Sequence, residues 1–345
     1  MSMVSGVYGG VDTNADVHVG AAIDSNGGLL GVRSFRADVA GYRELIGWLN
    51  GFGSVIRVGV EGTGSYGVGL ARHLRDVGVV VVEVDRPNRQ TRRRLGKSDP
   101  IDAQAAARAV LSGTASVVPK RRDGAVEQMR VLMVARSSAK RQRSQTLNQL
   151  RQVVICGPET VRARFKDRPQ TGLIAQAAAM RPRKGLDGVV YTTNIVIRGL
   201  GARICNLDDE IATIDPALRD LIHETAPSLL DLFGVGVVTA ATLLVAAGDN
   251  AGRVTSERSW AQLCGVAPIP TGSGKTSQRV RLNRGGNRQA NAALHQIVVV
   301  RMQHDPRTRQ YVQRRLDEGL SKREIMRCLK RYVARETFKH LPRPT

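Results

Sequence analysis

The chain has 345 residues, 42% hydrophobic and 24% charged, so it is long enough for two or three globular domains and is neither a short peptide nor a wholly disordered chain. Lys and Arg number 52 against 30 Asp and Glu, a net charge of +22. A surplus of this size points to a polyanionic partner, with nucleic acid as the first candidate.

The positive charge is concentrated behind the first third of the chain. Residues 1–118 hold 13 Lys and Arg against 11 Asp and Glu, whereas residues 119–345 hold 39 against 19. The acidic side chains that could hold a metal therefore lie mainly in a near-neutral N-terminal module, and the charge that would neutralise phosphates follows it. Two separate tasks are implied.

Cysteine spacing and hydropathy bear on the compartment. The four cysteines form no C-x-x-C pair and have no His at ligand spacing, which favours reduced thiols over zinc or disulfides. The N-terminus has no basic segment followed by an apolar one, and no apolar run reaches ~18 residues. We therefore expect a cytoplasmic protein with no membrane partner.

The first 84 residues contain short apolar segments, separated by turn residues and helical segments, as expected of a chain that forms a β-sheet. Strands are predicted at 7–11, 17–23 and 29–35, with turn residues between them, and then at 55–60 and 77–84. Helices are predicted at 39–49 and about 66–77. Three antiparallel strands followed by alternating helices and strands predict a mixed α/β sheet.

A basic stretch precedes the next predicted helix. Pro100 at the first helical position makes Asp99 the expected N-cap, with Asp102 one turn in, and an Ala-rich run continues the helix to Leu111. The basic stretch before this helix consists of Arg92, Arg93, Arg94 and Lys97, which are candidate nucleic-acid contacts, and Arg89 lies just before them. The first domain is expected to end near Pro119.

The rest of the chain reads as helical. A long basic helix is predicted over 121–155, and a second helix carries apolar residues every three or four positions from Ile197 to Leu218. That apolar seam predicts either contact with another subunit or packing against helix 121–155 of the same chain. Beyond Pro227, helical segments are predicted at 229–236, 237–247, 259–264, 289–302 and 322–338.

Four carboxylates stand out by their positions. Asp12 and Glu61 follow predicted strands, while Asp99 and Asp102 lie three residues apart on one helix. If the strands are adjacent and the helix crosses their ends, these side chains converge where one or two Mg²⁺ ions could bind, as phosphoryl transfer requires. Taken singly, each residue is explained equally well as a turn or helix-cap residue.

Two glycine-containing segments lie in the last third. Phe233-Gly234-Val235-Gly236 resembles a helix-hairpin-helix turn that holds phosphate through backbone amides, or is simply a helix–helix turn. Gly274-Lys275-Thr276 lacks the earlier glycine of a P-loop, so a nucleotide-hydrolysing site is rejected. Ser273 is either an exposed nucleophile or part of a flexible turn. The cations that follow it are Lys275, Arg279, Arg281, Arg284 and Arg288.

The order and spacing of these motifs resemble the DEDD transposases of the insertion sequence 110 family over nearly the whole chain, with the weakest match over residues 156–195. The matching segments are Gly10-Val11-Asp12, Val60-Glu61-Gly62-Thr63-Gly64, Lys97-Ser98-Asp99-Pro100-Ile101-Asp102-Ala103, Phe233-Gly234-Val235-Gly236, Cys264-Gly265-Val266-Ala267-Pro268 and Ser273-Gly274-Lys275.

The resemblance implies three parts. These are a RuvC-like, ribonuclease-H-fold catalytic domain over 1–118, a basic helical coiled-coil linker over 119–225, and a mainly helical transposase domain over 226–345. Asp12, Glu61, Asp99 and Asp102 would be the catalytic metal ligands, binding Mg²⁺ or Mn²⁺. Ser273 would be the catalytic serine, with Ser277 as the alternative because this chain has a single serine where relatives have a doublet.

The resemblance also implies partners: donor and target DNA, a guide (bridge) RNA, and further copies of the chain in a dimer or tetramer. The host would be bacterial or archaeal and the protein nucleoid-associated. Two other interpretations remain open. The same carboxylates could serve a metal-dependent nuclease or Holliday-junction resolvase that uses water, or the chain could be a non-catalytic nucleic-acid-binding protein.

Overall fold

The computed structural model describes residues 6–84, 98–183, 185, 187–250, 252–270, 280–282 and 285–342. The chain divides into two compact units, residues 1–121 and residues 122–345. The first unit is built on a mixed sheet and the second is mainly helical. The predicted fold class, α/β combined with helical sequence, is confirmed.

The sheet of the first unit has five strands in the order β3-β2-β1-β4-β5. β1 pairs antiparallel with β2, and β2 pairs antiparallel with β3, while β1, β4 and β5 run parallel. This is the predicted antiparallel meander extended by two parallel strands. The strands are β1 (Gly6–Thr13), β2 (Val17–Ile23), β3 (Leu29–Arg36), β4 (Ser54–Glu61) and β5 (Val81–Val84).

Helices cover both faces of this sheet. α1 (Val39–Asn50) and α2 (Val68–Asp76) bury residues such as Leu45 and Leu70 against Val11 and Val58 on one face. α3 (Asp99–Leu111) packs on the opposite face, where Ala106 and Val110 meet Val82 and Val84. Alternate residues of β1 and β4 therefore face α3, and the residues between them face α1 and α2.

Two local predictions in this unit are wrong. The strand predicted from Val77 begins only at Val81, because Gly78 has φ +81° and the amides of Gly78 and Val79 bond back to the end of α2. Residues 77–79 therefore terminate the helix. The N-cap of α3 is Ser98, in extended conformation, and Asp99 is the first helical residue.

The second unit contains nine helices and one two-stranded sheet among its described residues. Its largest core gathers Met129, Leu218, Leu244, Trp260 and Ile297. The elements are α4 (Ala125–Ile155), α5 (Glu159–Phe165), α6 (Gln170–Ala178), α7 (Gly188–Thr225), α8 (Val237–Ala247), α9 (Glu257–Leu263), β6 (Pro268–Pro270), β7 (Val280–Leu282), α10 (Arg288–His304), α11 (Pro306–Asp317) and α12 (Lys322–Phe338).

The two longest helices, α4 and α7, form an antiparallel hairpin. Arg136 is paired with Asp215, and Arg143 with Asp208, each through two guanidinium–carboxylate hydrogen bonds. An arginine seven residues further along α4 thus meets an aspartate seven residues earlier on α7. This constant step fixes the register of the hairpin.

The apolar seam of α7 packs within the chain. Leu207 and Ile211 contact Ala139 of α4, while Ile197 and Ile204 contact the far end of α4 together with α5 and α6. Of the two alternatives for the seam, packing against the first long helix is therefore correct. Contact with another subunit is not needed to cover the seam, because Ile197, Ile204, Leu207, Ile211, Ile214 and Leu218 are already buried within the chain and Leu200 is partly buried.

Other sequence predictions differ in the same unit. The segment expected to be helical over 229–236 is a 3₁₀ turn at Pro227–Leu229 followed by an irregular turn, because Gly234 has φ +79° and Gly236 is extended at the N-cap of α8. Helices α5, α6 and α11 were not predicted. Within the described residues, no helix is both long and apolar enough to cross a membrane.

A candidate active site of four carboxylates

Two glycines allow α3 to lie directly on the sheet. A Cβ atom on Gly10 would collide with backbone atoms of Ala103 and Ala107, and one on Gly59 would lie 2.6 Å from Val110 and 3.0 Å from the Ala106 carbonyl oxygen. Only glycine leaves room for a helix backbone at this separation. The first turn of α3 is thereby brought towards the ends of β1 and β4.

Each of these glycines is followed two residues later by an acidic residue on the same face of its strand. Asp12 ends β1 and Glu61 ends β4, and the parallel register pairs Gly10 with Gly59 and Val11 with Val60. The two carboxylates therefore lie side by side at the edge where the strands end. Thr13 Oγ1 donates to the Glu61 carbonyl oxygen at 2.7 Å and ties these two ends together.

The third and fourth carboxylates come from α3. Asp102 directly precedes Ala103, the residue that packs on Gly10, and Asp99 lies one turn nearer the helix N-terminus. The Asn14 amide lies between two of the carboxylates, with its Nδ2 3.5 Å from Asp12 Oδ2 and 3.4 Å from Asp99 Oδ2. All four predicted acidic residues therefore share one edge of the sheet.

The environment at this edge favours interaction with cations. Glu61 is 9% exposed and Asp102 4% exposed, so both carboxylates lie where a charge is costly unless it is compensated. Four carboxylates are hard oxygen donors of the type that Mg²⁺ and Mn²⁺ prefer. Among the residues that the structure describes, however, no three His, Cys, Asp or Glu side chains are already close enough together to hold a metal ion.

The opposite face of the sheet holds a buried histidine below the same strand end. His18 pairs with Thr13 in the β1–β2 ladder, is fully buried, and stacks on Tyr42 with ring centroids 5.7 Å apart. Neither imidazole nitrogen has a hydrogen-bond partner among the described residues. Burial lowers the pKa of His18, so the neutral form is favoured.

Sequence reasoning missed three residues of this site. Asn14 was not recognised as a neighbour of two carboxylates, and Gly10 and Gly59 were not recognised as the positions on which α3 packs. A signal for the glycines was present, since Gly10-Val11-Asp12 and Gly59-Val60-Glu61 repeat one pattern, glycine two residues before an acid. Nothing in the local sequence indicates the contact of Asn14, which depends on the position of α3.

Of the predicted nucleic-acid contacts, two lie among the residues that the structure describes. Arg288, the first residue of α10, is exposed, and Arg281 lies in β7. β6 and β7 pair antiparallel, and Ser273 lies on the segment that joins them. That serine is outside the described residues, as are Ser277, Arg92, Arg93, Arg94, Lys97, Lys275, Arg279 and Arg284.

Two family models match different segments of the chain. Residues 9–155, which include all four carboxylates, match the family model of the DEDD transposases of IS110 elements, described as "Transposase". Residues 215–313 match a second model, "Transposase IS116/IS110/IS902 family". The chain therefore belongs to the IS110 family of transposases, and its five-stranded sheet with α3 is the ribonuclease-H-like domain of that family.

Two curated relatives support the assignment. One is the "Insertion element IS110 uncharacterized 43.6 kDa protein" of Streptomyces coelicolor, 32% identical over 130 residues, which are 37% of this chain and 32% of the relative. Another is the "Insertion element IS900 uncharacterized 42 kDa protein" of Mycobacterium paratuberculosis, 29% identical over 126 residues, or 36% and 32% of the two chains. The matched segments span about a third of each relative.

Proposed function

We propose that this protein is a transposase that cuts and rejoins DNA at the sheet edge formed by Asp12, Glu61, Asp99 and Asp102. The observation that carries the proposal is the close packing of α3 on Gly10 and Gly59, which gathers four acidic residues from three separate segments at one place. Caps and turns do not require such convergence. The two family matches assign the same type of reaction to relatives of this chain.

The carboxylates would hold one or two divalent cations, Mg²⁺ or Mn²⁺. When bound, such a cation polarises a phosphodiester and stabilises the developing charge on oxygen. The protein side chains have distinct parts in this arrangement. Glu61 and Asp102 are buried and would provide fixed ligands, whereas Asp12 and Asp99 are more exposed and would flank the side from which DNA enters.

The nucleophile in this proposal is the hydroxyl of Ser273, with Ser277 as the alternative. Its oxygen would form a bond to phosphorus while one P–O bond of the DNA strand breaks, and the proton lost by serine balances the proton gained by the departing sugar oxygen. The reverse reaction with another strand end rejoins the DNA. Because one ester replaces another, no nucleotide hydrolysis is required.

The surplus of cations in residues 119–345 would supply the affinity for donor and target DNA and for a guide RNA encoded beside the gene. Two duplexes must be cut in one reaction, so several copies of the chain would assemble into a dimer or tetramer. The reaction would take place on chromosomal DNA in the cytoplasm of a bacterium or archaeon.

A trapping experiment tests the proposal. The protein would be incubated with Mg²⁺, with DNA that flanks its own gene and carries a nick that prevents rejoining, and with RNA transcribed from the adjacent non-coding DNA. We expect a covalent protein–DNA species, with the adduct on Ser273 by mass spectrometry. Ser273→Ala should abolish the adduct, and Asp102→Asn should abolish it while DNA binding remains.

Asp16→Asn is the matched control for Asp102→Asn, because Asp16 is an exposed acid just beyond the end of β1. It should leave adduct formation unchanged. Cut ends without any protein adduct would contradict the serine mechanism and support the water-dependent nuclease. An adduct on Ser277 would replace the assigned nucleophile, and binding without cutting under all conditions would favour the non-catalytic protein.

A further inference from the structure

The second unit contains a cleft that the carboxylate site does not use. It has a volume of about 640 Å³ and lies among the turn at Phe233, the end of α10, and helices α11 and α12. That volume is within the ~300–1,000 Å³ typical of small-ligand sites. We call it the α10–α12 cleft, and its lining includes Phe233, Arg301, Arg307, Tyr311, Arg314 and Tyr332.

The cleft is unusually rich in aromatic side chains for this protein. The whole sequence has only 13 Phe, Trp and Tyr residues, and three of them line this one cleft. Phe233 and Tyr332 are each 50% exposed, so their rings are accessible. Tyr311 packs edge-on against Tyr332 with centroids 5.8 Å apart, which holds the Tyr332 ring in place.

The charge of the cleft is positive. Five cationic side chains line it against two carboxylates, and both carboxylates are engaged within the protein. Glu336 accepts a hydrogen bond from Arg301 at 2.6 Å, and Asp305 caps the N-terminus of α11. Arg307 is exposed, and Arg314 stacks over Tyr311 at 5.5 Å while its Nε lies 3.7 Å from Glu318 Oε1 in an ion pair at the surface. Arg307 and the remaining N–H groups of the Arg314 guanidinium are available to bind phosphate oxygens.

Arg301 provides a donor in the wall of the cleft. Its Nε donates to the Phe233 carbonyl oxygen at 2.8 Å and its Nη1 to Glu336, so the guanidinium is held on two sides. Its Nη2 atom is buried and has no acceptor among the described residues. A buried donor of this kind is satisfied when a ligand supplies an oxygen or a ring nitrogen.

We propose that the α10–α12 cleft binds an unpaired nucleotide of a DNA or RNA strand. The base would stack on Tyr332 and the phosphates would contact Arg307 and Arg314, since exposed aromatic rings beside cations are the features that recognise single strands. A base edge offers acceptors suited to Arg301. Duplex DNA keeps its bases stacked inside the helix, so it would use only the charges.

This inference rests on the proposed function only for the presence of nucleic acid, and its test needs neither metal nor cleavage. Binding of the full chain would be measured in EDTA by fluorescence anisotropy. The probes are a short single-stranded DNA, the matching RNA, the same DNA with abasic sites, and a duplex. We expect the single strands with bases to bind ~10-fold or more tightly than the abasic strand.

Substitution of Tyr332 locates the effect. Tyr332→Leu should lower affinity for the base-containing strands by ~10-fold and leave the abasic strand and the duplex unchanged, whereas Tyr332→Phe should bind like wild type. Tyr191→Leu is a control for loss of a tyrosine elsewhere in the same unit. Thermal unfolding of each variant would confirm that the protein is folded.

Several outcomes would overturn the proposal. Equal affinity for abasic and base-containing strands would show that the cleft binds phosphates only, as would an equal effect of Tyr332→Leu on duplex. A loss confined to RNA, or to DNA, would identify the source of the nucleotide and support the proposal. Failure of the covalent trapping experiment with base-dependent binding intact would refute the proposed function alone.

Discussion

The two units of this protein handle charge in opposite ways. The first unit is nearly neutral and gathers carboxylates at one sheet edge, where Glu61 and Asp102 are largely buried. The second carries most of the net charge and exposes arginines such as Arg307. If the carboxylate edge acts as proposed, it would repel phosphates in the absence of cations, so affinity for a polyanion would have to come from elsewhere in the chain. The comparison leads us to expect that chemistry and affinity can be separated by substitutions in the two units.

The largest expected effect concerns salt. If the cations of residues 119–345 dominate binding, raising salt from about 50 to 200 mM should weaken DNA affinity by ~10³-fold when six or more phosphates are neutralised. The measurement is the dissociation constant at a series of salt concentrations. Arg307→Gln should reduce the slope by about 1, whereas Arg43→Gln on α1 should leave it unchanged. A dissociation constant that does not change with salt concentration would contradict the expectation that the cations of residues 119–345 dominate binding.

The packing of α3 should be the most sensitive feature of the first unit. Gly10→Ala places a methyl group against the α3 backbone and should destabilise residues 1–121 by about 1–3 kcal/mol. Gly47→Ala, in the middle of α1 with open space around its Cβ position, should stabilise the same unit by ~0.5–1 kcal/mol. Both stability changes can be measured by urea unfolding that is monitored through hydrogen exchange of peptides from β1 and α3. Equal effects would show that α3 does not press on Gly10.

The same contrast can be drawn within one helix of the second unit. A Cβ on Gly201 of α7 would lie 2.5 Å from the Ala178 amide nitrogen, whereas Gly199 has open space. We expect Gly201→Ala to loosen α6 from α7 at a cost of about 1–2 kcal/mol, and Gly199→Ala to stabilise α7 by ~0.5–1 kcal/mol. Hydrogen exchange of α6 amides would report the difference. Neither change should alter the stability of the first unit.

The smallest expected effect is a dependence of stability on pH in the first unit. Burial lowers the pKa of His18 in the folded state below its ordinary value of 6.5, so the unfolded chain binds more protons as pH falls through that value. This contribution should leave the first unit most stable above about pH 6.5 and less stable below it. His18→Phe, which keeps a ring against Tyr42, should weaken the acid sensitivity. The midpoint of urea unfolding, measured between pH 5 and 8 for both proteins, would show this difference. The same pH dependence in His18→Phe as in the wild type would contradict the role given to His18.

The sequence was most informative where a pattern repeats along one element. Alternation identified β1 to β4 within one or two residues, and the Ala-rich run behind Pro100 identified α3. It failed where backbone geometry at a glycine decides the outcome. Gly78 ends α2 and shortens β5, and Gly234 prevents a helix before α8, although both segments look regular by composition.

In the candidate site, too, some features follow from local sequence patterns and others depend on tertiary packing. Its four carboxylates could be selected from their positions at strand ends and on a helix, because the ends of adjacent parallel strands meet at one edge. The contact of Asn14 with two of them could not be selected, since it depends on where α3 crosses the sheet. Likewise, the seam of α7 was visible in the sequence, but whether it faces α4 or another subunit is a tertiary choice that heptad spacing does not encode.

The paired arginines and aspartates of α4 and α7 are separated by the same interval on both helices of the hairpin. Seven residues of helix measure about 10.5 Å, so this is the distance along the hairpin between the Arg136–Asp215 pair and the Arg143–Asp208 pair. Lengthening both helices by seven residues would carry the α5–α6 tip outward by that distance with its facing direction nearly kept. Adding three or four residues to both helices would instead rotate the tip about the long axis of the hairpin. The reach of this hairpin would therefore change in discrete increments of seven residues if its tip is to keep its orientation.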